Sequence, residues 1–285
     1  MKIKSFNDFE KRYSNDYNTF SKKVAIASIK RKDHPFFSVI KDRSDLYEKY
    51  QGYPVIIDEG FSTGSQLVFE NSAGVYNSNS APDLIEISRK MSDNPYLPKV
   101  STSIKDIRKG FRFPVIAKSE KRSDSYKTIG KLRSSEINYD TFVENPDPRT
   151  RFKILVFKGE PVSIVEWINK FPIDVDMNSF EYLKESIEIS KLIWEHLDLD
   201  LCNVEIIESI KGDIIIKSVS TDLNLNPIQE KVVYEKVYED HYGAKLPNWF
   251  KLKIFNDHVL PYYKRRENDV KLIKSRHSMD YSKAN

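Results

Sequence analysis

Residues 151–168, RFKILVFKGEPVSIVEWI, decide the fold because they predict a long β-hairpin. Lys153–Phe157 and Pro161–Ile168 are rich in β-branched and aromatic residues, and Lys158-Gly159-Glu160 between them predicts a tight turn. An amphipathic helix is predicted next, from Ser179 to Leu197. Two more strands follow, Cys202–Ile207 and Asp213–Val219, with a turn at Lys211-Gly212 between them. This order predicts an antiparallel sheet covered by a helix.

Upstream of the hairpin the pattern predicts a second group of strands. Phe113–Lys118 is an apolar strand that ends on a lysine, and the polar segment Ser119–Lys127 predicts a loop. Short strands are expected at Thr128–Leu132 and Thr141–Glu144. A helix is expected at Ser80–Ser92, where proline near the start is tolerated.

The first part of the chain predicts a small α/β unit, since short strands and a helix alternate there. The segments concerned are a helical leader at 1–20, strands at Val24–Ile29, Pro54–Asp58, Leu67–Phe69 and Val75–Tyr76, and a helix at Ser44–Tyr50. From Pro227 onward the chain is charged and predicted to be helical. The expected domains are therefore 1–98, 99–232 and a C-terminal helical extension with a polar tail at 233–285.

Composition bounds the class of protein. The 285 residues are 39% hydrophobic, and 46 basic against 42 acidic residues leave a net charge of only +4. This balance differs from the basic excess of a typical nucleic-acid binder. One cysteine, Cys202, fits a reducing compartment, and no long apolar run predicts a membrane span. We therefore expect a protein of the cytoplasm, or of the host-cell cytoplasm if it is viral, with no membrane partner.

The sequence lacks the motifs of several common binding and catalytic sites. With only 9 glycines, the chain has neither a P-loop nor a G-x-G-x-x-G stretch, and no Gly-x-Ser-x-Gly elbow occurs. The five histidines are scattered, without an i,i+4 pair or a nearby cysteine, which argues against a zinc site.

From about Tyr76 to Asn226 the sequence resembles the ATP-grasp superfamily, particularly short, phage-encoded carboxylate–amine ligase-like members. The motifs appear in the family's order. They are Val75-Tyr76-Asn77 before a helix bearing Lys90, the strand Phe113–Lys118, the hinge strand Phe142-Val143-Glu144, the hairpin Arg151–Gly159, and Leu197–Ile207 with its acid Glu205. Upstream, Ile56–Gly60 is similar to a strand end of the domain that precedes the ATP-grasp. The resemblance implies an α/β (α+β) ATP-grasp fold behind a small α/β domain.

The resemblance also implies roles for individual residues. ATP would be bound by Lys90, Lys118, Phe142, Val143, Glu144 and Lys131, and Mg²⁺ by Glu205, Asp222 and Asn224. Catalysis would depend on Lys153, Arg151 and Lys170. Lys153 stands where the family has arginine, which keeps the charge but loses the bidentate fork.

The sequence departs from the family at two sites. The segment Ser119–Ile129 has no glycine where the family has a glycine-rich, phosphate-covering loop, so Lys121, Arg122 and Lys127 would have to act through side chains. Counting from Glu205 places the second metal-binding segment at Ser218-Val219-Ser220, which has no carboxylate. A longer hairpin would place Asp222-Leu223-Asn224 there instead, and the same residues could also be an ordinary turn into the C-terminal helices.

Three functions are compatible with these observations. The first is an ATP- and Mg²⁺-dependent ligase that joins a small-molecule or peptide carboxylate to an amine through an acylphosphate. The second is a degenerate ATP-grasp that serves as a nucleotide-binding or interaction module. The third, suggested by Lys264-Arg265-Arg266 and the basic stretch Lys271–Arg276, is a viral nucleic-acid modification factor.

Overall fold

The computed structural model describes residues 20–28, 30, 33–41, 52–58, 61, 74–77, 81–91, 94–107, 111–119, 122–133, 139–168 and 171–266. Residue contacts divide the chain into unit 1, Met1–Val75 with Asn224–Asn285, and unit 2, Tyr76–Leu223. The domain boundaries expected after residues 98 and 232 stay predictions.

Thirteen strands are found within the described residues: β1 (Ala25–Ala27), β2 (Ser38–Ile40), β3 (Pro54–Ile57), β4 (Gly74–Tyr76), β5 (Val100–Ser101), β6 (Val115–Ser119), β7 (Arg122–Tyr126), β8 (Thr141–Glu144), β9 (Pro148–Phe157), β10 (Glu160–Ile168), β11 (Phe171–Val175), β12 (Leu201–Ser209) and β13 (Ile214–Ser220). The α-helices of the same residues are α1 (Leu84–Lys90), α2 (Ile104–Ile107), α3 (Ile129–Arg133), α4 (Leu183–Leu197), α5 (Pro227–Tyr242) and α6 (Asn248–Ile254).

Unit 1 contains a small sheet in the order β2-β1-β3-β4, in which β1 pairs in parallel with β2 and β3. Its apolar residues form a buried cluster that includes Ala25, Ile40 and Val55. Asn226 caps the N-terminus of helix α5, and its side chain accepts from the N–H groups of Ile228 and Gln229 in a capping box. After α6 the chain continues in a π-helical turn, Phe255–Val259, and residues 260–266 are again α-helical.

Unit 2 contains two antiparallel sheets. The smaller one has the order β5-β8-β6-β7 and packs a core of Ile107, Val115, Ala117, Leu132 and Phe142. The larger one has the order β11-β10-β9-β12-β13. Helix α4 covers one face of the larger sheet, since Ile189 and Ile193 share a buried cluster with strand residues.

The predicted hairpin, the helix after it, the strand pair 202–207 and 213–219, and strand Thr141–Glu144 are confirmed, with bounds that differ by a few residues. Two predictions were wrong. The expected loop Ser119–Lys127 contains β7, a polar edge strand that pairs with β6, and the expected strand Thr128–Leu132 is largely helix α3. The sequence pattern did not predict strand β7, because an edge strand can be polar on both faces and then shows no period-2 alternation.

Strands β2 and β11 were not predicted, although Phe36–Ile40 is β-capable. The expected leader at 1–19, helix 44–50, strand 67–69 and polar tail from 267 lie outside the described residues. No helix among the described residues is long and apolar enough to cross a membrane.

The turn between β9 and β10 depends on glycine. Lys158 and Gly159 have φ of 46° and 79°, as a two-residue hairpin turn of the I′ type requires. A Cβ added at Gly159 would lie 2.9 Å from Cε3 of Trp194 on α4. The close approach of the turn to α4 therefore leaves no room for a side chain.

We expect Gly159→Ala to lower the free energy of unfolding by about 2–3 kcal/mol, because positive-φ strain and overpacking add. Gly212→Ala is the matched control, since Gly212 has φ of 86° and no atom within 4 Å of an added Cβ. It should cost only about 1 kcal/mol. Urea unfolding of both variants measures the difference, and equal losses would contradict the close contact with Trp194.

Candidate functional site: a cleft between two sheets

The two faces of the large sheet differ in chemistry. On β12 the side chains of Cys202, Val204 and Ile206 belong to the core beneath α4. Since successive side chains of a strand point to opposite faces, Asn203 and Glu205 lie on the other face. The same alternation on β9 puts Lys153 there, and Lys153 is paired with Glu205 in the register. Polar and charged groups are thus concentrated on the face that α4 leaves open.

This face meets the small sheet at a cavity of about 300 Å³. The volume is at the lower end of the range for ligand-binding pockets. Its walls come from the start of α1, from β6 and β8 of the small sheet, and from β13 of the large sheet. The lining residues are Pro82, Asp83, Leu84, Ile116, Lys118, Val143, Glu144, Asn145, Lys217, Ser218 and Val219.

The small sheet contributes a lysine and an apolar surface to this cleft. Ile116 and Val143 are register partners on β6 and β8, and both line the cavity. Lys118 stands two residues after Ile116 and therefore on the same face of β6. Phe142 points the opposite way, into the core of the small sheet, so of the expected adenine-binding residues only Val143 and Glu144 reach the cavity wall.

Lys153 is surrounded by acids. Burial lowers the pKa of the Lys153 ammonium, and the negative charges of Asp222 and Glu205 offset part of that fall. Both carboxylates therefore act on the same cation, although they are 17 positions apart in the sequence. The half-buried setting strengthens such interactions, because less water screens them.

A second cation, Lys217, lies at a β-bulge in the large sheet. The register between β12 and β13 shifts after Glu205, so that Glu205 pairs with Ser218 and Ile206 with Ile216. Lys217 is the extra residue, and bulges commonly redirect a side chain next to a functional site. Burial lowers the pKa of Lys217, Glu205 raises it, and the charge of Arg151 lowers it further. Arg151, Lys153 and Lys217 therefore share one electrostatic environment.

Oxygen atoms suited to a hard cation lie in the same place. Ser218 donates from Oγ to Glu205 at 3.4 Å, and Asn203 donates from Nδ2 to the backbone oxygen of Asp222 at 2.8 Å. Asn203 is 3% exposed, and its Oδ1 has no hydrogen-bond partner among the described residues. A buried amide oxygen without a donor is an available ligand atom.

Glu144 is committed to a structural pair. Its buried carboxylate accepts from the backbone N–H of Arg112 at 2.7 Å and from the guanidinium at 3.0 and 3.2 Å. The same guanidinium donates to Asp213 at 2.5 Å, in the turn between β12 and β13. Arg112 thus links the small sheet to the large one beside the cleft, and Glu144 has no free side-chain oxygen to offer a nucleotide ribose without weakening that link.

Lys118, Val143 and Glu144 are the expected site residues that line the cavity, and the other expected residues that the structure describes do not. Lys90 is at the far end of α1, where it pairs with Glu86 at 3.1 Å. Lys131 lies exposed on α3, and Asn224 is an exposed residue of unit 1. Lys170 lies outside the described residues.

The sequence did not single out three residues that the structure brings to this region. Arg112 and Lys217 lie outside the motifs, and Asn203 lies within the motif Leu197–Ile207 but was assigned no role. Asn203 could have been suspected, because it is a polar residue two positions before Glu205 in an apolar strand. Lys217 could not have been suspected from the sequence, because the bulge that redirects its side chain depends on the pairing of two strands.

The chain shares its fold with solved structures. N5-carboxyaminoimidazole synthetase from Staphylococcus aureus matches with a TM-score of 0.55 and 13% identity, over 79% of this chain and 72% of that chain. N5-carboxyaminoimidazole ribonucleotide synthetase from Thermotoga maritima matches with a TM-score of 0.52 and 16% identity, over 79% of this chain and 69% of that chain. A structure of the Staphylococcus aureus protein complexed with ADP matches with a TM-score of 0.50 and 13% identity, over 74% of this chain and 67% of that chain.

No protein-family model and no curated protein sequence matches the chain. The likeness to solved structures concerns the fold, and it confirms the predicted mixed α/β architecture of the ATP-grasp type. Two sheets that face each other across a cleft are the part of this architecture described above.

We expect Arg112→Met to lower the free energy of unfolding by about 3 kcal/mol, because it leaves the buried Glu144 carboxylate without its cation. Asp213→Asn is the control, since the Asp213 side chain is 50% exposed and its ion pair is worth about 1 kcal/mol or less. Urea unfolding at neutral pH compares the two. A loss for Arg112→Met no larger than that for Asp213→Asn would contradict the structural role.

Proposed function

We propose that the cleft binds ATP with Mg²⁺ and that the chain is an ATP-dependent ligase joining a carboxylate to an amine. The observation that carries the proposal is the composition of the two walls. One wall presents Lys118 beside the apolar pair Ile116 and Val143, and the other presents Lys217 with the Lys153–Glu205–Asp222 cluster next to it. A neighbour of the same fold is complexed with ADP, which supports a nucleotide as the ligand.

The two kinds of surface suit the two parts of a nucleotide. A purine ring stacks favourably on apolar side chains such as Ile116 and Val143. The triphosphate needs cations, and Lys118, Lys153 and Lys217 supply three. Arg151 adds to the same positive field, as its effect on Lys217 indicates.

The donor set fits Mg²⁺, which prefers oxygen ligands. Glu205 and Asp222 would hold it, and Oδ1 of Asn203 is the buried amide oxygen near them. Of the two alternatives that the sequence left open, Asp222 is the better ligand, because Ser218 offers only a hydroxyl. When bound, Mg²⁺ would neutralise part of the charge that develops during phosphoryl transfer.

The proposed reaction has two steps. A carboxylate oxygen of the first substrate attacks the γ-phosphorus, which gives an acylphosphate and ADP. The amine of the second substrate then attacks the acyl carbon, phosphate leaves, and one proton is released. Lys118 and Lys153 would hold the phosphates in line and stabilise their charge, which is the main contribution that proteins make to phosphoryl transfer.

The substrates are proposed by class alone, as a small-molecule or peptide carboxylate and an amine. We place the reaction in the cytoplasm, where ATP is abundant and the buried thiol of Cys202 stays reduced.

We expect Lys118→Ala to weaken ATP-Mg binding at least about tenfold, because it removes a charged contact to phosphate worth about 1.5–3 kcal/mol. Lys191→Ala is the control, since Lys191 is an exposed lysine of α4 on the opposite side of the large sheet. Calorimetric titration measures both. A wild-type chain that does not bind ATP-Mg, or a Lys118→Ala variant that binds it as well as the wild type, would overturn the proposal.

The metal assignment has its own test. Asp222→Asn should remove most of the Mg²⁺ dependence of ATP binding, whereas Ser218→Ala should change it less than about threefold, because a hydroxyl is a weak ligand. Binding is titrated at several Mg²⁺ concentrations. If Ser218→Ala has the larger effect, the shorter register is the metal site and the assignment of Asp222 is wrong. Binding by the wild type that ignores Mg²⁺ would favour the degenerate module.

A further inference from the structure

Three side chains of unit 1 converge on one point. His34 precedes β2, Glu230 lies in the first turns of α5, and His258 lies in the π-helical turn after α6. Nε2 of His34 is 3.2 Å from Oε2 of Glu230, and Nε2 of His258 is 2.7 Å from the same oxygen. One ligand atom from each residue lies within 4.8 Å of the other two.

The donor set is that of a transition-metal site. Two imidazole nitrogens and one carboxylate oxygen are a common ligand set for zinc when a fourth position is open. Nitrogen ligands disfavour Mg²⁺ and Ca²⁺, which prefer oxygen. Among the described residues this is the one group of three or more His, Cys, Asp or Glu side chains with such spacing.

The three side chains of this site are largely buried and held by packing. The side chains of His34 and Glu230 are each 10% exposed, and that of His258 is 23% exposed. The His34 ring packs edge-on against the buried Phe36, with ring centroids 4.4 Å apart, and His258 packs against the same ring at 5.2 Å. An apolar shell of this kind restricts ring motion and lowers the local dielectric, which strengthens metal–ligand attraction.

The backbone also orients the ligands. The N–H groups of Phe36 and Phe37 point at Nδ1 of His34 at 3.4 and 3.3 Å, so Nε2 is the nitrogen turned toward Glu230. These are long contacts that yield easily when the ring proton is redistributed on metal binding. His258 is presented by a π-helical turn, a rare element that is frequent at functional sites.

We propose that His34, Glu230 and His258 form a site for a divalent transition-metal ion, with Zn²⁺ as the ion bound. The more exposed side of the site, at His258, leaves room for water or an exogenous ligand in the fourth position. Without an ion, the two imidazoles hold Glu230 by hydrogen bonds. When the metal takes the place of the Nε2 proton, each imidazole stays neutral and carries its one ring proton on Nδ1. The proposal does not rest on the ATP-binding cleft, which uses other residues.

The test uses the full chain after treatment with a chelator and removal of the chelator, in the absence of ATP. Zn²⁺ titrated into the protein should bind with a stoichiometry of one and a dissociation constant of about a micromolar or tighter. Co²⁺ should give a visible absorption spectrum of low-coordinate nitrogen and oxygen ligation. Mg²⁺ should not compete with either ion.

Variants locate the ion. Glu230→Gln and His258→Ala should each weaken Zn²⁺ binding by at least about a hundredfold, since direct ligands matter more than the outer-shell groups whose loss costs ten- to a hundredfold. His196→Ala is the matched control, because His196 is an exposed histidine of α4 in unit 2. Far-ultraviolet circular dichroism of each metal-free variant reports whether its fold is intact.

X-ray absorption of the wild-type zinc complex gives an answer that depends on no variant. Nitrogen and oxygen neighbours with the multiple scattering of two imidazoles support the site. Sulfur coordination, which would place the ion at Cys202, overturns it. So does the absence of zinc binding by the wild type, or undiminished binding by a folded Glu230→Gln variant.

Discussion

The packing of α4 against one face of the five-stranded sheet is the constraint on which the rest of unit 2 depends. Burial of Ile189 and Ile193 against β9 and β12 fixes which side chains point inward. Because side chains alternate along a strand, the same packing sends Lys153 and Glu205 to the opposite face. A slip of one residue in either strand would bury these charges and expose the core. The chemistry of the cleft is therefore a consequence of the helix on the other side.

The positive and negative charges at the cleft act on one another. Burial lowers the pKa of both Lys153 and Lys217, and the negative charge of Glu205 raises the pKa of each. Burial of a cation is costly, and the nearby carboxylates offset part of that cost. The bulge at Lys217 adds to this cost, since it interrupts the ladder to turn one more lysine toward the cavity. An arrangement of half-buried cations beside carboxylates is consistent with the proposed site for a polyanion with a metal ion.

The sequence predicted the large sheet better than the small one. Local signals sufficed for the hairpin at Lys158-Gly159, for α4 and for the strands around Glu205, because apolar periodicity and turn residues agree there. The small sheet was harder, since β7 is a polar edge strand and α3 is short, so neither carries a clear period. The roles expected for the cleft residues stay predictions. Lys118, Lys153, Arg151, Glu205 and Asp222 lie in or beside the cleft, Lys90 is paired with Glu86 away from the cavity wall, and Phe142 faces a core.

What the sequence determined by itself is the order of strands, turns and helices, because each of these follows from residues close together in the chain. Tertiary structure alone decided which distant side chains meet. His34 and Glu230 are 196 residues apart, and no spacing rule links them, so five scattered histidines argued against a zinc site until folding placed two of them beside one carboxylate. Arg112 likewise meets Glu144 and Asp213 because the chain folds the small sheet against the large one. Periodicity is a local property of a chain, whereas a binding site depends on contacts that only the packed chain makes.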